Sequence, residues 1–208
     1  MTQPRWFAVI GGLLLTLVFI QSLGTPPNAG PDEPAHVVRS AGIVRGDVFG
    51  EAVDSDDIGD VDAGAADIAN ADAGHEAIRV YDVPNELDNP SPACYAHDPN
   101  APASCAAGVV IDRGADDETI ASTAGTYPIW GHLLPGLGTF FPADSAIYFA
   151  RLLHALIPVA LVAAALARLL TDGRRFAAAA TLLAVTPMAL FTFAVVNPSG
   201  IAIAGAVA

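Results

Sequence analysis

The sequence predicts a mainly α-helical, polytopic membrane protein with a large extracytoplasmic loop of mixed α/β content between its first and second membrane helices. Three observations predict it. The 208 residues are 53% hydrophobic and the mean hydropathy is positive, yet the formal net charge is −13. A soluble acidic domain is rarely so apolar and a membrane span rarely so charged, so the two characters must be segregated along the chain. They are: residues 24–143 hold 20 of the 22 acids and 4 of the 9 cations, a balance of −16, while the remainder holds 2 acids and 5 cations, a balance of +3. This excludes a single soluble domain, a simple coiled coil and a fully disordered chain. Nucleic acid is not an expected partner, because a phosphate backbone attracts clustered cations and the one large polar segment here is acidic.

Residues 1–23 form the first predicted membrane segment. Trp6–Leu23 is an uncharged apolar run of 18 residues, just long enough to cross a hydrocarbon core of about 30 Å at about 1.5 Å per residue. Arg5 precedes it. A cleaved signal peptide is the competing reading, but Gly24-Thr25-Pro26-Pro27 offers no small-residue cleavage site. Residues 144–170 and 176–196 hold two further apolar stretches, Ala146–Leu170 and Phe176–Val196. The turn at 171–175, Thr171-Asp172-Gly173-Arg174-Arg175, follows Arg168 and belongs in the cytoplasm by the positive-inside rule. Arg5 independently puts the N-terminus there, so residues 24–143 are expected to be extracytoplasmic. The protein is accordingly expected in the cell membrane, with the lipid bilayer as its first partner.

Thr126–Phe141 is apolar but short, and contains Gly131, Pro135, Gly136 and Gly138. It reads as interfacial or re-entrant, with Trp130 and His132 as interface anchors. Residues 197–208 read as the start of a fourth helix, with Asn197 as N-cap and Pro198 in the first helical position. The expectation from this ending is an N-terminal part of a longer polytopic protein, inactive by itself, whose further helices would pack on these Ala-rich ones. A natural short chain with an interfacial tail is the alternative.

Within the loop, residues 46–75 are rich in Gly, Ala and Asp and poor in large apolar groups. Asp54, Asp56, Asp57, Asp60 and Asp62 fail the helix–loop–helix calcium pattern, since position twelve from Asp54 is Ala65. A solvated acidic face fits them better. Glu76–Val83 and Ala107–Ile111 read as short strands. Cys94 and Cys105, the only cysteines, are separated by ten residues. In an oxidising compartment they read as a disulfide contributing on the order of 3 kcal/mol. A metal site using His97 is the weaker reading, and His75 has no evident partner.

The string with most chemistry is Pro31-Asp32-Glu33-Pro34-Ala35-His36-Val37-Val38-Arg39. Pro34 suits a first helical turn, and Asp32 or Glu33 would then cap a helix running through Val44, where the helix dipole favours a carboxylate. His36 and Arg39 share a face. A carboxylate, an imidazole and a guanidinium would then meet at the membrane surface; the plainer reading is a capped helix with ordinary polar residues. On the second membrane helix, Arg151 and His154 also share a face, and Arg151 either serves a function or snorkels to the surface.

Taken in order, this string and the following Arg39–Gly46, then Gly125-Thr126-Tyr127-Pro128, Ala150-Arg151-Leu152-Leu153, Thr186-Pro187-Met188 and Asn197-Pro198, resemble the membrane protein family labelled domain of unknown function 2142. Ser199 stands where that family's pattern has an acid. The family in turn resembles integral-membrane glycosyltransferases of the GT-C fold, which use polyprenyl-phosphate-linked sugars and carry acids just after their first helix. The resemblance implies glycosyl transfer at the outer face, with Asp32 and Glu33 catalytic. One of them, Asp32 first, would act as base or as ligand to a divalent cation (Mg or Mn). It also implies His36, Arg39, Tyr127, Arg151, His154 and Asn197 as substrate-binding residues, with Arg39 and Arg151 on the lipid phosphate. The alternative is a non-enzymatic scaffold or transporter component that binds a partner through its acidic ectodomain.

Overall fold

The first helix of the computed structural model, α1 (Gln3–Gly24), is predominantly apolar and extends the expected span by a turn at its start, taking in Arg5. The structure describes residues 2–52, 78–87, 100, 102 and 117–208. The Cys94–Cys105 disulfide, the acids at 54–62, the strand expected at 107–111, and His75 and His97 lie outside the described residues. Contacts divide the chain into two units, Thr25–Ala150 and the pair Met1–Gly24 with Arg151–Ala208.

In the first of these, α2 runs over Glu33–Val44, the span expected from the Pro-Asp-Glu-Pro signal. It ends on Gly46, whose φ of +100° lets Asp47 N–H reach back to the Gly42 carbonyl and Gly46 N–H to that of Ile43. The helix packs on a three-stranded antiparallel sheet, β1 (Glu51–Ala52), β2 (Arg79–Pro84) and β3 (Asp117–Ser122), in the order β1-β2-β3 with Tyr81 opposite Ile120. Tyr81 and Val83 lie buried while Asp82 between them is exposed. The Tyr81 ring lies against Gly42, where any Cβ would collide with it.

A 3-10 turn at Ile129–Gly131 leads into the short helix α3 (Leu133–Gly138), which packs on α2. Glycine makes this possible: a Cβ at Gly136 would overlap the Ser40 carbonyl and a Val44 methyl, and one at Gly138 the backbone of Ala150. Ala150 belongs to the long helix α4 (Ala143–Thr171).

The other unit contains α1, the remainder of α4, α5 (Arg175–Ala184), α6 (Pro187–Ala194) and α7 (Pro198–Val207). Its core combines Leu14 and Val18 with Ala155, Val159, Val162 and Leu166, and with Phe193 and Ala194. Small residues let these backbones approach closely, as at Gly11, where a Cβ would stand 3.7 Å from that of Ala163. Among the described residues two helices are long and apolar enough to cross a membrane, Gln3–Gly24 and Ser145–Thr171. The stretch expected as one further straight span, Phe176–Val196, is instead broken: α5 and α6 meet at 65°. Pro187 lacks the N–H that would continue the first helix, and Thr186 before it is extended at ψ 165°. Thr186 Oγ1 then accepts from Ala189 N–H and starts α6. Asn197 caps α7 as expected, its Oδ1 accepting from Ser199 N–H at 2.9 Å, with Pro198 behind it. The chain is thus mainly helical, with a small sheet and helices long and apolar enough to cross a membrane.

Gly136→Ala should lower the stability of the α2–α3 packing by about 1–3 kcal/mol, because the obstructing atom is backbone and cannot swing away. Gly205→Ala, whose new methyl meets nothing within 4 Å, should be neutral or slightly stabilising. Thermal unfolding of the reconstituted protein compares the two.

Candidate functional site

The loop after α1 turns twice. Ala29 N–H bonds to the Pro26 carbonyl and Glu33 N–H to that of Gly30. Asn28 and Asp32 take left-handed backbone, with φ of +58° and +57°; asparagine and aspartate tolerate that region best among residues with a Cβ. The left-handed turn at Asp32 separates two adjacent acids. Asp32 is exposed, while Glu33 is fully buried and its Oε2 accepts from Gly30 N–H at 3.2 Å. Asp32 occupies the N-cap position, as expected, but its carboxylate caps nothing. The left-handed backbone puts it outside the extended geometry in which a cap side chain reaches the first-turn amides.

Arg39 is buried, and its fork is committed to the protein. Nη1 donates to Tyr81 Oη at 2.7 Å and to the Gly125 carbonyl, and Nη2 donates to the Tyr127 carbonyl. The phosphate contact expected of Arg39 therefore meets a guanidinium whose terminal nitrogens already hold β2 and the 125–127 turn against α2. Tyr81 had no signal in the sequence to mark it, since a tyrosine in a strand is an ordinary core residue. Burial pushes its hydroxyl above the usual tyrosine range, and the Arg39 charge pulls it partly back.

His36 is buried and pairs with His132, 96 positions away: His36 Nδ1 lies 3.2 Å from His132 Nε2. His132 Nδ1 faces the Pro128 carbonyl at 3.0 Å. A carbonyl only accepts, so His132 Nδ1 carries its proton, Nε2 offers its lone pair, and His36 Nδ1 is the donor between the rings. The Tyr127 ring stands edge-on to His36, with centroids 4.8 Å apart. His132 was expected at the membrane interface with Trp130. It is instead wholly buried while Trp130 is exposed, because the turn at 129–132 points the polar ring inward and the indole outward. A lone histidine in an otherwise uncharged apolar stretch was the available signal. Burial, with the Arg39 charge nearby, pushes His132 down to about 4, against the raising pull of its bond to Pro128.

The expected meeting of carboxylate, imidazole and guanidinium thus takes another form. Asp32 faces solvent, Glu33 turns back on its own loop, His36 bonds to His132, and Arg39 clamps the sheet. Among the described residues no three His, Cys, Asp or Glu side chains converge as ligands for a metal ion.

Arg151, His154 and Asn197 belong to the other unit. Arg151 is fully buried and donates from Nη1 to the Ser22 carbonyl at 2.9 Å, serving the carbonyl-rich end of α1. It does not snorkel. His154 is also fully buried one turn along, and Gly200 in the first turn of α7 approaches so closely that a Cβ there would stand 3.4 Å from His154 Nε2. Pro158 withholds the amide that would ordinarily serve the His154 carbonyl.

In the pH range where His132 ionises, stability should follow its burial. Above pH 6.5 the ring is neutral in both folded and unfolded chain. As pH falls from 6.5 to about 4, the unfolded chain takes up a proton that the folded one refuses, so stability is lost across that window. Ring nitrogen shifts measured against pH should show His132 neutral at pH 5; titration near 6.5 would contradict its burial. Arg39→Lys should cost on the order of 2 kcal/mol, because one ammonium cannot serve three acceptors set for a planar fork. Resistance of the α2–sheet region to limited proteolysis reads that loss.

No curated protein and no solved structure matches the chain. A family model described as predicted membrane protein, domain of unknown function 2142, matches residues 13–208, nearly the whole length. With its two membrane-length helices and the ordered motifs now placed on the fold, the chain belongs to this membrane protein family.

Proposed function

We propose that this protein transfers a glycosyl group from a polyprenyl-phosphate-linked sugar to an acceptor hydroxyl at the outer membrane face, with Asp32 as the general base. The observation that carries the reading is the separation of the two acids. The left-handed turn exposes the Asp32 carboxylate eight residues beyond the end of α1 and buries Glu33 beside it. An exposed carboxylate on a structured turn is available to a substrate proton, whereas a buried one bonded to its own loop is a support. In the reaction, Asp32 takes the acceptor O–H proton. The acceptor oxygen bonds to the anomeric carbon, the bond from that carbon to the donor phosphate breaks, and the lipid phosphate leaves with the electron pair. Glu33, His36, His132 and Arg39 are positioning residues that hold the turn, α2 and the sheet together. Tyr127, exposed beside His36, is the candidate substrate contact in this unit, and His154 and Asn197 are the candidates in the other. The resemblance to GT-C enzymes supports the substrate class, and the Arg174-Arg175 turn supports the outer-face assignment.

Asp32→Asn keeps a residue tolerant of left-handed backbone and removes the base. It should lower transfer by about 10²- to 10⁴-fold in the intact protein in its own membrane, with lipid-linked sugar consumed and glycan formed as the two readouts. Unchanged transfer at normal protein level would remove Asp32 from the mechanism.

A further inference from the structure

We infer that Tyr127–Phe141 is a lipid-binding foot, lying along the membrane surface with one apolar face in the boundary between headgroups and acyl chains. Residues 125–142 contain no Asp, Glu, Arg or Lys, although they belong to a strongly acidic part of the chain. Most of their large apolar side chains are exposed, while Pro135 is buried and Ile129 and Leu134 are half-buried. Trp130, Leu133, Leu137 and Phe140 follow one another at steps of three, four and three, the spacing of a single helical face, and all four are exposed, Trp130 at 57% and Phe140 at 58%. The opposite face carries His132 and Thr139 with the close-packing Gly136 and Gly138, and these are buried against α2 and the start of α4.

This arrangement is inverted relative to a segment bathed in water, which would hide its tryptophan, leucines and phenylalanines and show its histidine and threonine. It is the arrangement a hydrocarbon boundary favours. Aromatic rings populate that boundary because one edge can be wet while the body is not. The occupant follows from where the face ends. Phe141 stands two residues before α4, whose Ser145–Thr171 portion is long and apolar enough to cross a membrane. Phe141 also stacks on Phe149 of that helix with centroids 3.8 Å apart, so the apolar surface continues onto the helix that passes into the bilayer. Arg45 lies over the Phe140 ring at 4.7 Å while donating to Thr139, placing a cation at the rim of the face where lipid phosphates would be. The segment is too short to cross, and α3 spans only Leu133–Gly138. The foot holds the unit that carries Asp32 next to the lipid surface, but its docking does not depend on what Asp32 does.

The chain has two tryptophans, so Trp6→Phe leaves Trp130 as the only tryptophan, excited selectively at the red edge where tyrosine does not absorb. The intact variant is placed in phosphatidylcholine–phosphatidylglycerol vesicles containing lipids labelled with a quencher either near the headgroup or near the chain end. Trp130 should emit at shorter wavelength than in water. The shallow label should quench it several-fold more strongly than the deep one, and aqueous acrylamide only weakly. Strongest quenching by the deep label would mean insertion and overturn the proposal. Free access to acrylamide with no lipid quenching would show a face in water, and shielding from both would show a protein partner or second copy covering it; either overturns it. Should Trp6→Phe fold poorly, the difference between the unaltered protein and Trp130→Phe reports the same quantity. None of these readouts measures sugar transfer, so loss of the base assignment and loss of the lipid face are separable.

Discussion

The buried guanidinium of Arg39 is the constraint on which the unit around Asp32 depends. A charge out of water is costly unless its donors are met, and here the two terminal nitrogens are met by a tyrosine hydroxyl from β2 and by two carbonyls of the 125–127 turn, while Nε is buried without a hydrogen bond. Two segments far from α2 in sequence are thereby fixed to one point on it. The sheet supplies Tyr81 only in its observed register, and the turn presents its carbonyls only if the chain reverses at 123–127. Removing the fork would leave buried acceptors without their donor.

Around that clamp, the chain sorts its polar groups by whether they face the unit or leave it. Glu33, His36 and His132 are turned inward and hydrogen-bonded, while Asp32 and the aromatic side chains of 127–141 are turned out. The outward set is mixed in character: a carboxylate at the beginning of α2, and an apolar face on the segment packed against that helix. The buried set ties this region together through its hydrogen bonds.

Prolines do corresponding work in the other unit, where every backbone group must find a partner inside the protein. Pro187 and Pro198 each follow a side chain that accepts from the new helix, Thr186 in one case and Asn197 in the other. The helix breaks are thus capped where they occur. Arg151 gives a similar service to α1, donating to a carbonyl near its end. Thr186 and Asn197 thus stand at helix starts, where unpaired backbone would otherwise accumulate.

The residues themselves determined that long helices form and where two of the later ones start. Eighteen uncharged apolar residues specify a span by length alone, Pro31-Asp32-Glu33-Pro34 specifies a helix start, and Asn197-Pro198 specifies another, because these depend on groups a few positions apart. The bend at Thr186-Pro187 was also written locally, but the uniform apolarity of Phe176–Val196 hid it, since composition reports burial and not direction. β3 was illegible because Asp117-Glu118 open it and an acidic pair disfavours a strand in isolation; pairing with β2 overrides that preference. The fate of each polar side chain was decided only in three dimensions. Nothing near Arg39 in sequence indicates that its acceptors lie 42 to 88 positions away, nor that His36 bonds to a histidine 96 positions along. Which of two neighbouring acids faces water was likewise settled by a left-handed turn. Local sequence carries short-range backbone preferences, whereas burial and partnership of a charge depend on which distant segments close around it.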